Sequence, residues 1–243
     1  MGEPVNPPMK RPMNRPMNRP IASGIHTAFL IAILAGFAWW SAIHAAHLRA
    51  TGSTHHLALY LQTLVFEWLL LAFVIWGVRR HGGALSAVLG DRWSGARELG
   101  RDLGVAAVYW VVTLIALAVI SHLLGMNGLP DSVRFLLPRG WLEIVLWVAL
   151  SVTAGICEEA IFRGYLQRQF LALTQNAPAA IALGAVAFGA GHAYQGARSA
   201  VLISLYGAMF GSLAHWRKTV RPGMIAHAWQ DSFSGIVTSL RRS

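Results

Sequence analysis

The sequence predicts an all-α fold, a polytopic bundle of about seven to eight helices that cross a membrane. The chain of 243 residues is 55% hydrophobic and only 12% charged, about half the charged fraction of an ordinary soluble domain. Its mean hydropathy is +0.49. Several of its apolar stretches approach the roughly 20 residues that a helix needs to cross the hydrocarbon core. This composition excludes a disordered chain and a typical soluble enzyme.

Seven apolar segments predict the helices in chain order. The first follows a positively charged flank, but its apolar part is too long for a signal peptide, so we expect a retained anchor. The fifth is short, and we expect it to be tilted or partly buried by its neighbours. The segments are 28–46, 57–78, 103–124, 141–162, 177–190, 200–216 and 222–240.

Three regions are predicted along the chain. Residues 1–22 are expected to form a disordered, basic, cytoplasmic tail, because a proline at every fourth position prevents a helix. Residues 23–140 are expected to hold the N-terminal membrane helices and an interfacial loop. Within that loop, 79–102 predicts either an amphipathic helix lying on the membrane or a solvated connecting helix. Residues 141–243 are expected to form a separate functional core.

Charge predicts the location of the chain. The net charge is +10, and most basic residues fall on one side when the N-terminus is placed in the cytoplasm. This predicts a multi-pass protein of the cell inner (cytoplasmic) membrane, although Arg241 and Arg242 would lie outside after seven spans. The basic residues are spread over loops, which argues against nucleic-acid binding. The only cysteine, Cys157, excludes an intramolecular disulfide framework.

Ionisable residues inside apolar segments indicate where function lies, because charges in lipid usually face a protein interior or a cavity. The fourth segment ends with Glu158, Glu159 and Arg163. Glu159 and Arg163 are four residues apart on a helix and can pair, which leaves Glu158 to face another side as a general base. The same pattern is also typical of a helix end with a surface ion pair.

Two further segments carry histidines. His192 follows Gly189, Ala190 and Gly191, so a helix or a substrate can approach it closely. His227 and Asp231 are four residues apart, where a carboxylate can hold the imidazole tautomer. Each could instead be a packing or helix-end residue. Glu67 stands in the second segment without an obvious partner.

Taken together, these groups predict one polar cavity with hydrolytic chemistry. In one version a Glu–His pair activates water while the second histidine stabilises an oxyanion. In the other, Glu158, His192 and His227 bind a zinc ion whose fourth ligand is water. The spacing leaves both versions open.

The ordered motifs Glu158-Glu159-x-x-x-Arg163, Phe188-x-x-x-His192 and His227-x-x-x-Asp231 resemble those of the CPBP intramembrane proteases. This family, also called the CAAX-protease, bacteriocin-processing or abortive-infection family, includes the type II CAAX prenyl endopeptidases. The resemblance covers about residues 141–240. It implies a CAAX-protease-like helical core and an endopeptidase acting on a membrane-associated protein or peptide.

The resemblance also implies roles for these residues. Glu158 would be the general base and His192 would help to position the water. His227 and the residue at position 231 would stabilise the oxyanion, with Glu159 and Arg163 as a supporting pair. The prenyl-protease pattern has Asn where this chain has Asp231, and an ionised Asp cannot donate a hydrogen bond. We therefore expect Asp231 to orient His227.

Geometry adds a prediction about the fourth helix. At 1.5 Å per residue, Glu158 lies about 25 Å along a helix that starts at Trp141, whereas His192 lies near the far end of the next segment. The two meet only if both helices extend to the cytoplasmic side. We therefore expect one continuous helix from Trp141 to about residue 173.

Two other functions remain open. The chain could be a catalytically silent scaffold or immunity protein of the same fold. It could also be a small transporter that uses Glu158 and Glu159 as a proton relay, but the paired broken helices typical of transporters are not found in the sequence. Substrate identity and any recognition of a prenyl group are not predicted.

Overall fold

The structure, a computed structural model, describes residues 19–51, 56–126, 128, 134 and 136–240. Helices dominate this part of the chain, and none of its residues lies in a strand. The elements are α1 (Gly24–Thr51), α2 (His56–Arg80), α3 (Ser86–Leu89), α4 (Ala96–Leu123), α5 (Trp141–Glu158), a π-helical segment (Glu159–Leu166), α6 (Gln167–Thr174), α7 (Ala177–Gly191), a 3-10 turn (Ala193–Gln195), α8 (Ala197–Arg217) and α9 (Arg221–Leu240).

Each of the seven apolar segments lies in a helix, which confirms the all-α membrane fold. Within the described residues, five stretches are long and apolar enough to cross a membrane: 24–48, α2, α4, Trp141–Thr174 and α8. The remaining two segments correspond to α7 and α9. α7 has only 15 residues, as expected for the short fifth segment, and α9 carries His227 and Asp231 among its apolar residues.

The predicted continuous helix through Glu158 is confirmed. The chain is helical without a break from Trp141 to Thr174. Its middle section, Glu159–Leu166, has the wider π-helical hydrogen bonding, and every residue of that section is buried. π-Helical turns are rare and are frequently found at functional sites.

The loop over residues 79–102 does not contain the helix predicted for it. Between the end of α2 and the start of α4 at Ala96, all of which the structure describes, the only helix is α3, four residues long. Gly90 adopts a positive φ of 81° directly after α3, which ends the helix. Of the basic residues between 92 and 101, Arg97 and Arg101 lie in the first two turns of α4, and Arg92 precedes that helix.

The start of α4 is joined to the start of α9 by a buried ionic cluster. The fully buried Asp102 carboxylate lies 3.2 Å from Arg217 Nη2 and 3.1 Å from Arg221 Nε. Trp93 Nε1 donates to the same carboxylate over 3.0 Å, and Arg221 also pairs with Glu98. Arg217 ends α8 and Arg221 begins α9. The cluster therefore holds the first turn of α9, the helix that carries His227, against the start of α4.

The predicted tail, residues 1–22, lies largely outside the described residues, which begin at 19. The chain already belongs to the core at Ile21 and Ala22, which are 7% and 0% exposed. Ile21 N donates to Gln169 Oε1 over 2.8 Å, and Gln169 Nε2 donates to the Ala22 carbonyl over 3.0 Å. These bonds attach the N-terminal segment to α6.

The long helix is the centre of the bundle, because α2 and α9 both pack against α5. α7 packs against α8, and α6 and the π-helical segment pack against α7. The side chains of Glu158, His192 and His227 therefore come from three elements that surround one interior.

Gly155 allows α9 to approach α5 closely. A Cβ added at Gly155 would lie 2.6 Å from the Met224 carbonyl oxygen and 2.9 Å from Ala228 N. Both are backbone atoms of α9, the helix that carries His227, so they can move only if α9 moves. The glycine therefore sets the distance between the helices that carry Glu158 and His227.

We expect Gly155→Ala to lower the free energy of unfolding by about 1–3 kcal/mol, the usual cost of overpacking a filled interior. The measurement is thermal unfolding of the purified protein in detergent. Gly104→Ala is the matched control, because a Cβ at this helical glycine meets nothing within 4 Å. Equal stability of the two variants would contradict the close approach.

Candidate active site

The structure brings five of the six predicted residues into one contiguous cluster. Glu158 ends α5, while Glu159 and Arg163 lie in the π-helical segment that follows. His227 and Asp231 stand one turn apart on α9, which packs on α5. The sixth residue, His192, follows the last residue of α7 and reaches the cluster through the ring of Phe188.

His227 is held at the centre of this cluster by buried partners. Its Nδ1 lies 2.9 Å from Glu159 Oε1, and Arg163 Nη1 lies 2.9 Å from the same oxygen. The Glu159, Arg163 and His227 side chains are 0%, 2% and 4% exposed. The Glu159 carboxylate, which also faces the Arg163 guanidinium, accepts the hydrogen bond from the imidazole, so His227 Nδ1 carries a hydrogen.

Aromatic rings complete the surroundings of the Glu159–Arg163 pair. The Arg163 guanidinium lies over the Phe188 ring at 4.3 Å from its centroid, a cation–π geometry. Its Nη2 donates to the Gly207 carbonyl over 3.3 Å. His227 makes edge contacts with Tyr206 and Phe210, with centroids 5.4 and 5.8 Å apart. These contacts from α7 and α8 fix both side chains.

The other ring nitrogen of His227 faces the more open side of the site. His227 Nε2 lies 3.7 Å from Glu158 Oε2 and 3.6 Å from Asp231 Oδ2. Both distances exceed that of a direct hydrogen bond. The Glu158 and Asp231 side chains are 18% and 38% exposed, so a small molecule can reach them. The adjacent residues Glu158 and Glu159 therefore differ sharply: one is accessible and the other is enclosed.

That Asp231 orients His227 stays a prediction, and the Asp231 carboxylate lies beside the ring, 3.6 Å from Nε2, without a direct hydrogen bond. The hydrogen bond that fixes the ring comes from Glu159 at Nδ1, while Asp231 stands beside Glu158 at Nε2. The Asp231 backbone has a separate role, because its carbonyl accepts a hydrogen bond of 2.9 Å from Trp147 Nε1. This bond holds α9 against α5.

The tautomer of His192 follows from its single backbone contact. His192 Nδ1 lies 2.9 Å from the Phe188 carbonyl oxygen, which can only accept a hydrogen bond. Nδ1 therefore carries the hydrogen, and in the neutral ring Nε2 is free to accept. The Phe188 ring centroid lies 4.9 Å from that of His192 and 6.2 Å from that of His227, so the two imidazoles flank one aromatic side chain.

The zinc version predicted for Glu158, His192 and His227 does not fit the arrangement of these side chains. Within the described parts of the chain, no three His, Cys, Asp or Glu side chains are placed to hold one metal ion. A catalytic zinc site needs three protein ligands about 2 Å from the metal.

Sequence reasoning missed Glu67 and Tyr194 as neighbours of the site. Glu67 is 8% exposed in α2 and interacts electrostatically with Glu158 and Asp231. Tyr194, in the 3-10 turn after His192, interacts with the same carboxylates. The charge of Glu67 inside an apolar segment was a usable signal, but nothing in the sequence pointed to Tyr194.

A cavity of about 430 Å³ lies beside the site, between α1, α2 and α5. Its walls are mostly apolar and aromatic, and Tyr194 belongs both to this wall and to the surroundings of Glu158. The size is within the range of small-molecule pockets. The residues that enclose it include Trp40, His44, Tyr60, Phe66, Trp147 and Tyr194.

Comparison with known proteins agrees with the motifs. Residues 140–233 match the family described as "Type II CAAX prenyl endopeptidase Rce1-like". The matched region contains all three motifs and confirms the family resemblance. At the family level, this match supports the interpretation of the chain as a protease. Together with the five apolar helices, it supports a multi-pass membrane protein. No curated protein and no solved structure is significantly similar to the chain.

Proposed function

We propose that this protein is an intramembrane endopeptidase that hydrolyses a peptide bond of a membrane-associated protein or peptide. The observation that carries the proposal is the pairing of an accessible carboxylate, Glu158, with a buried imidazole, His227, that Glu159 and Arg163 hold in place. Such a pair in a helical membrane protein suits the activation of water. The family match supports the same reaction class.

In the proposed reaction, Glu158 acts as the general base. It takes a proton from a water molecule within hydrogen-bond distance, and the hydroxide oxygen forms a bond to the carbonyl carbon of the substrate. The carbonyl electron pair moves onto oxygen to give a tetrahedral oxyanion. When the carbon–nitrogen bond breaks, Glu158 returns its proton to the leaving nitrogen, so atoms and charges balance.

The two histidines have different roles in this proposal. Three carboxylates surround His227, from Glu158, Glu159 and Asp231, and they favour its protonated form. Its Nε2–H then donates to the oxyanion, which is the usual way that a site of low polarity stabilises this intermediate. His192 Nε2 accepts a hydrogen bond from the attacking water and helps to orient it.

The substrate would approach from the lipid, and the cavity beside Tyr194 can receive an apolar part of it. The proposed location is the cytoplasmic membrane, with the N-terminus inside. In that orientation α5 runs from outside to inside, so Glu158 lies in the inner half of the bilayer. Both statements rest on the distribution of basic residues.

The test is cleavage of a library of prenylated and unprenylated peptides by the purified protein, read by mass spectrometry. Cleavage that persists with a metal chelator supports the proposed metal-free reaction, whereas cleavage lost on chelation supports the zinc version. A wild-type protein that cleaves no peptide contradicts the proposal and favours a silent scaffold of the same fold.

We expect Asp231→Asn to retain cleavage within about tenfold of the wild type. Asp231 makes no direct hydrogen bond to His227, because its carboxylate lies 3.6 Å from Nε2, and Asn has the same size and can itself donate. His227→Ala removes the oxyanion donor, which typically costs about 10²- to 10³-fold in rate. The measurement is the cleavage rate of both variants on one peptide. A loss in Asp231→Asn as large as in His227→Ala would contradict this assignment.

A further inference from the structure

A small polar pocket lies at the end of the bundle where α8 leads into α9, and the reaction above does not use it. Its volume is about 70 Å³, several times the roughly 10–15 Å³ that one water molecule needs. The pocket therefore has room for a compact group of a few atoms. Polar side chains from α3, from α6 and from the end of α8 line it: Ser86, Gln167, Arg168, His215, Lys218 and Thr219.

The walls of this pocket are fixed by close packing. A Cβ added at Gly164, in the π-helical segment, would clash with the backbone of Val88 in α3, and Val88 is 1% exposed. On the opposite side, Gln167 Nε2 donates to the Gly211 carbonyl over 2.9 Å, which holds α6 against α8. The pocket is therefore a fixed feature of the packed bundle.

The pocket is positively charged. Three cationic side chains line it, those of Arg163, Arg168 and Lys218, and no Asp or Glu belongs to the described residues around it. Only Arg163 has a carboxylate of its own, because it pairs with Glu159. Two more carboxylates at this end of the bundle, Glu98 and Asp102, pair with arginines of the ionic cluster between α4 and α9. The charges of Arg168 and Lys218 are left unbalanced.

Arg168 has the least balanced charge of the three. Its side chain is half-buried, and its Nη1 donates to the Ala87 carbonyl. Its Nε is buried and makes no hydrogen bond within the described part of the chain. A cation that has lost water is costly unless an anion or a full set of acceptors lies beside it. Arg168 therefore favours an anion in the pocket that it lines.

Trp216 indicates the depth of the pocket in the membrane. It lies two residues before Lys218 and is 69% exposed. The Arg217 guanidinium lies over its ring, 5.5 Å from the centroid. Exposed tryptophans of membrane helices concentrate at the level of the lipid headgroups. In the proposed orientation this end of the bundle is the cytoplasmic one, where basic pockets between helices receive phosphorylated headgroups.

We propose that this pocket binds a phosphate group, carried by an anionic lipid headgroup or free in the cytoplasm. The planar Arg168 guanidinium and the Lys218 ammonium supply positive charge to the phosphate oxygens. The hydroxyls of Ser86 and Thr219 can donate to the remaining oxygens. The volume admits the phosphate and leaves the rest of a larger molecule outside. The inference does not depend on the proposed hydrolytic reaction.

Inorganic phosphate tests the site without lipid. The measurement is thermal unfolding of the full-length protein in a neutral detergent, as phosphate replaces chloride at constant ionic strength. Wild-type protein should be stabilised, and Arg168→Gln and Lys218→Gly should need about tenfold more phosphate for the same shift, because each loses one charge-assisted contact. Lys218 has a φ of 57°, which favours glycine, so weaker binding by Lys218→Gly would not come from a damaged fold.

The matched control is Arg97→Gln. It removes one positive charge from the first turn of α4, at the same end of the bundle but outside the pocket. It should respond to phosphate like the wild type.

Phosphatidylglycerol tests the lipid source. The same four proteins are released from bilayers of phosphatidylcholine with added phosphatidylglycerol, and native mass spectrometry counts the phosphatidylglycerol that each retains. Retention by wild type and Arg97→Gln, with loss in both pocket variants, assigns the site to a lipid headgroup. Stabilisation by inorganic phosphate without such retention assigns it to a free phosphate. A wild-type protein that responds to neither probe, or pocket variants that match Arg97→Gln in both measurements, overturns the proposal.

Discussion

Glu158→Gln is expected to abolish peptide hydrolysis while leaving the protein as stable as the wild type. The substitution keeps the size of the side chain but removes its ability to take a proton. Loss of a general base typically costs about 10²- to 10⁴-fold in rate. Stability should be retained, because the Glu158 side chain is 18% exposed and its nearest basic atom, His227 Nε2, lies 3.7 Å away.

The measurement is the single-turnover rate of cleavage, with thermal unfolding of the same sample as the control for folding. Wild-type protein treated with a chelator runs beside it and should remain active. A stable Glu158→Gln protein that cleaves at the wild-type rate would contradict the role of Glu158. An unstable one would instead show that Glu158 supports the fold.

Glu159→Gln has the second-largest expected effect. Unlike Glu158→Gln, it is expected to lower the stability of the protein as well as its activity. The substitution removes the counter-charge of the Arg163 guanidinium. The Arg163 side chain is 2% exposed, and its remaining neighbours include the rings of Phe188 and Phe210. Breaking a buried ion pair by removing one partner costs about 3–5 kcal/mol in the free energy of unfolding. The ring of His227 also loses the acceptor at Nδ1, so activity should fall together with stability.

Thermal unfolding in detergent measures the first effect, and cleavage at a temperature where the variant is folded measures the second. The pair Glu158→Gln and Glu159→Gln is its own control, because the two changes are chemically identical and adjacent in the chain. If Glu159→Gln unfolded at the wild-type temperature, the assignment of Glu159 as the buried anchor of His227 would be wrong.

The sequence allowed the fold and the members of the site to be predicted for a simple reason. Charged residues are so costly inside apolar helices that each exception carries information. Glu158, Arg163 and His227 stood out for this reason, and their helical spacing indicated which could pair. The extension of the helix through Glu158 followed from two premises together, the rise of 1.5 Å per residue and the expectation that Glu158 and His192 share one site.

What could not be predicted depends on contacts between distant parts of the chain. The partner of His227 at Nδ1 is Glu159 on another helix, whereas spacing favoured Asp231 on its own helix. Local sequence also could not show that Asp102 forms ion pairs with Arg217 and Arg221, which lie more than a hundred residues away in the chain. Glu67 lacks a local partner in the sequence, because the groups that interact with it, Glu158 and Asp231, lie on other helices.

The π-helical segment makes the long helix sensitive to changed side chains but gives it a place where one residue can be lost. Every residue of Glu159–Leu166 is buried, so most substitutions there would disturb a packed contact. A π-helical turn holds about one residue more than the α-helical turn it replaces, because its hydrogen bonds span one residue more. Removing one residue would return this section to α-helical hydrogen bonding, and Gln169 would keep its bonds to Ile21 and Ala22.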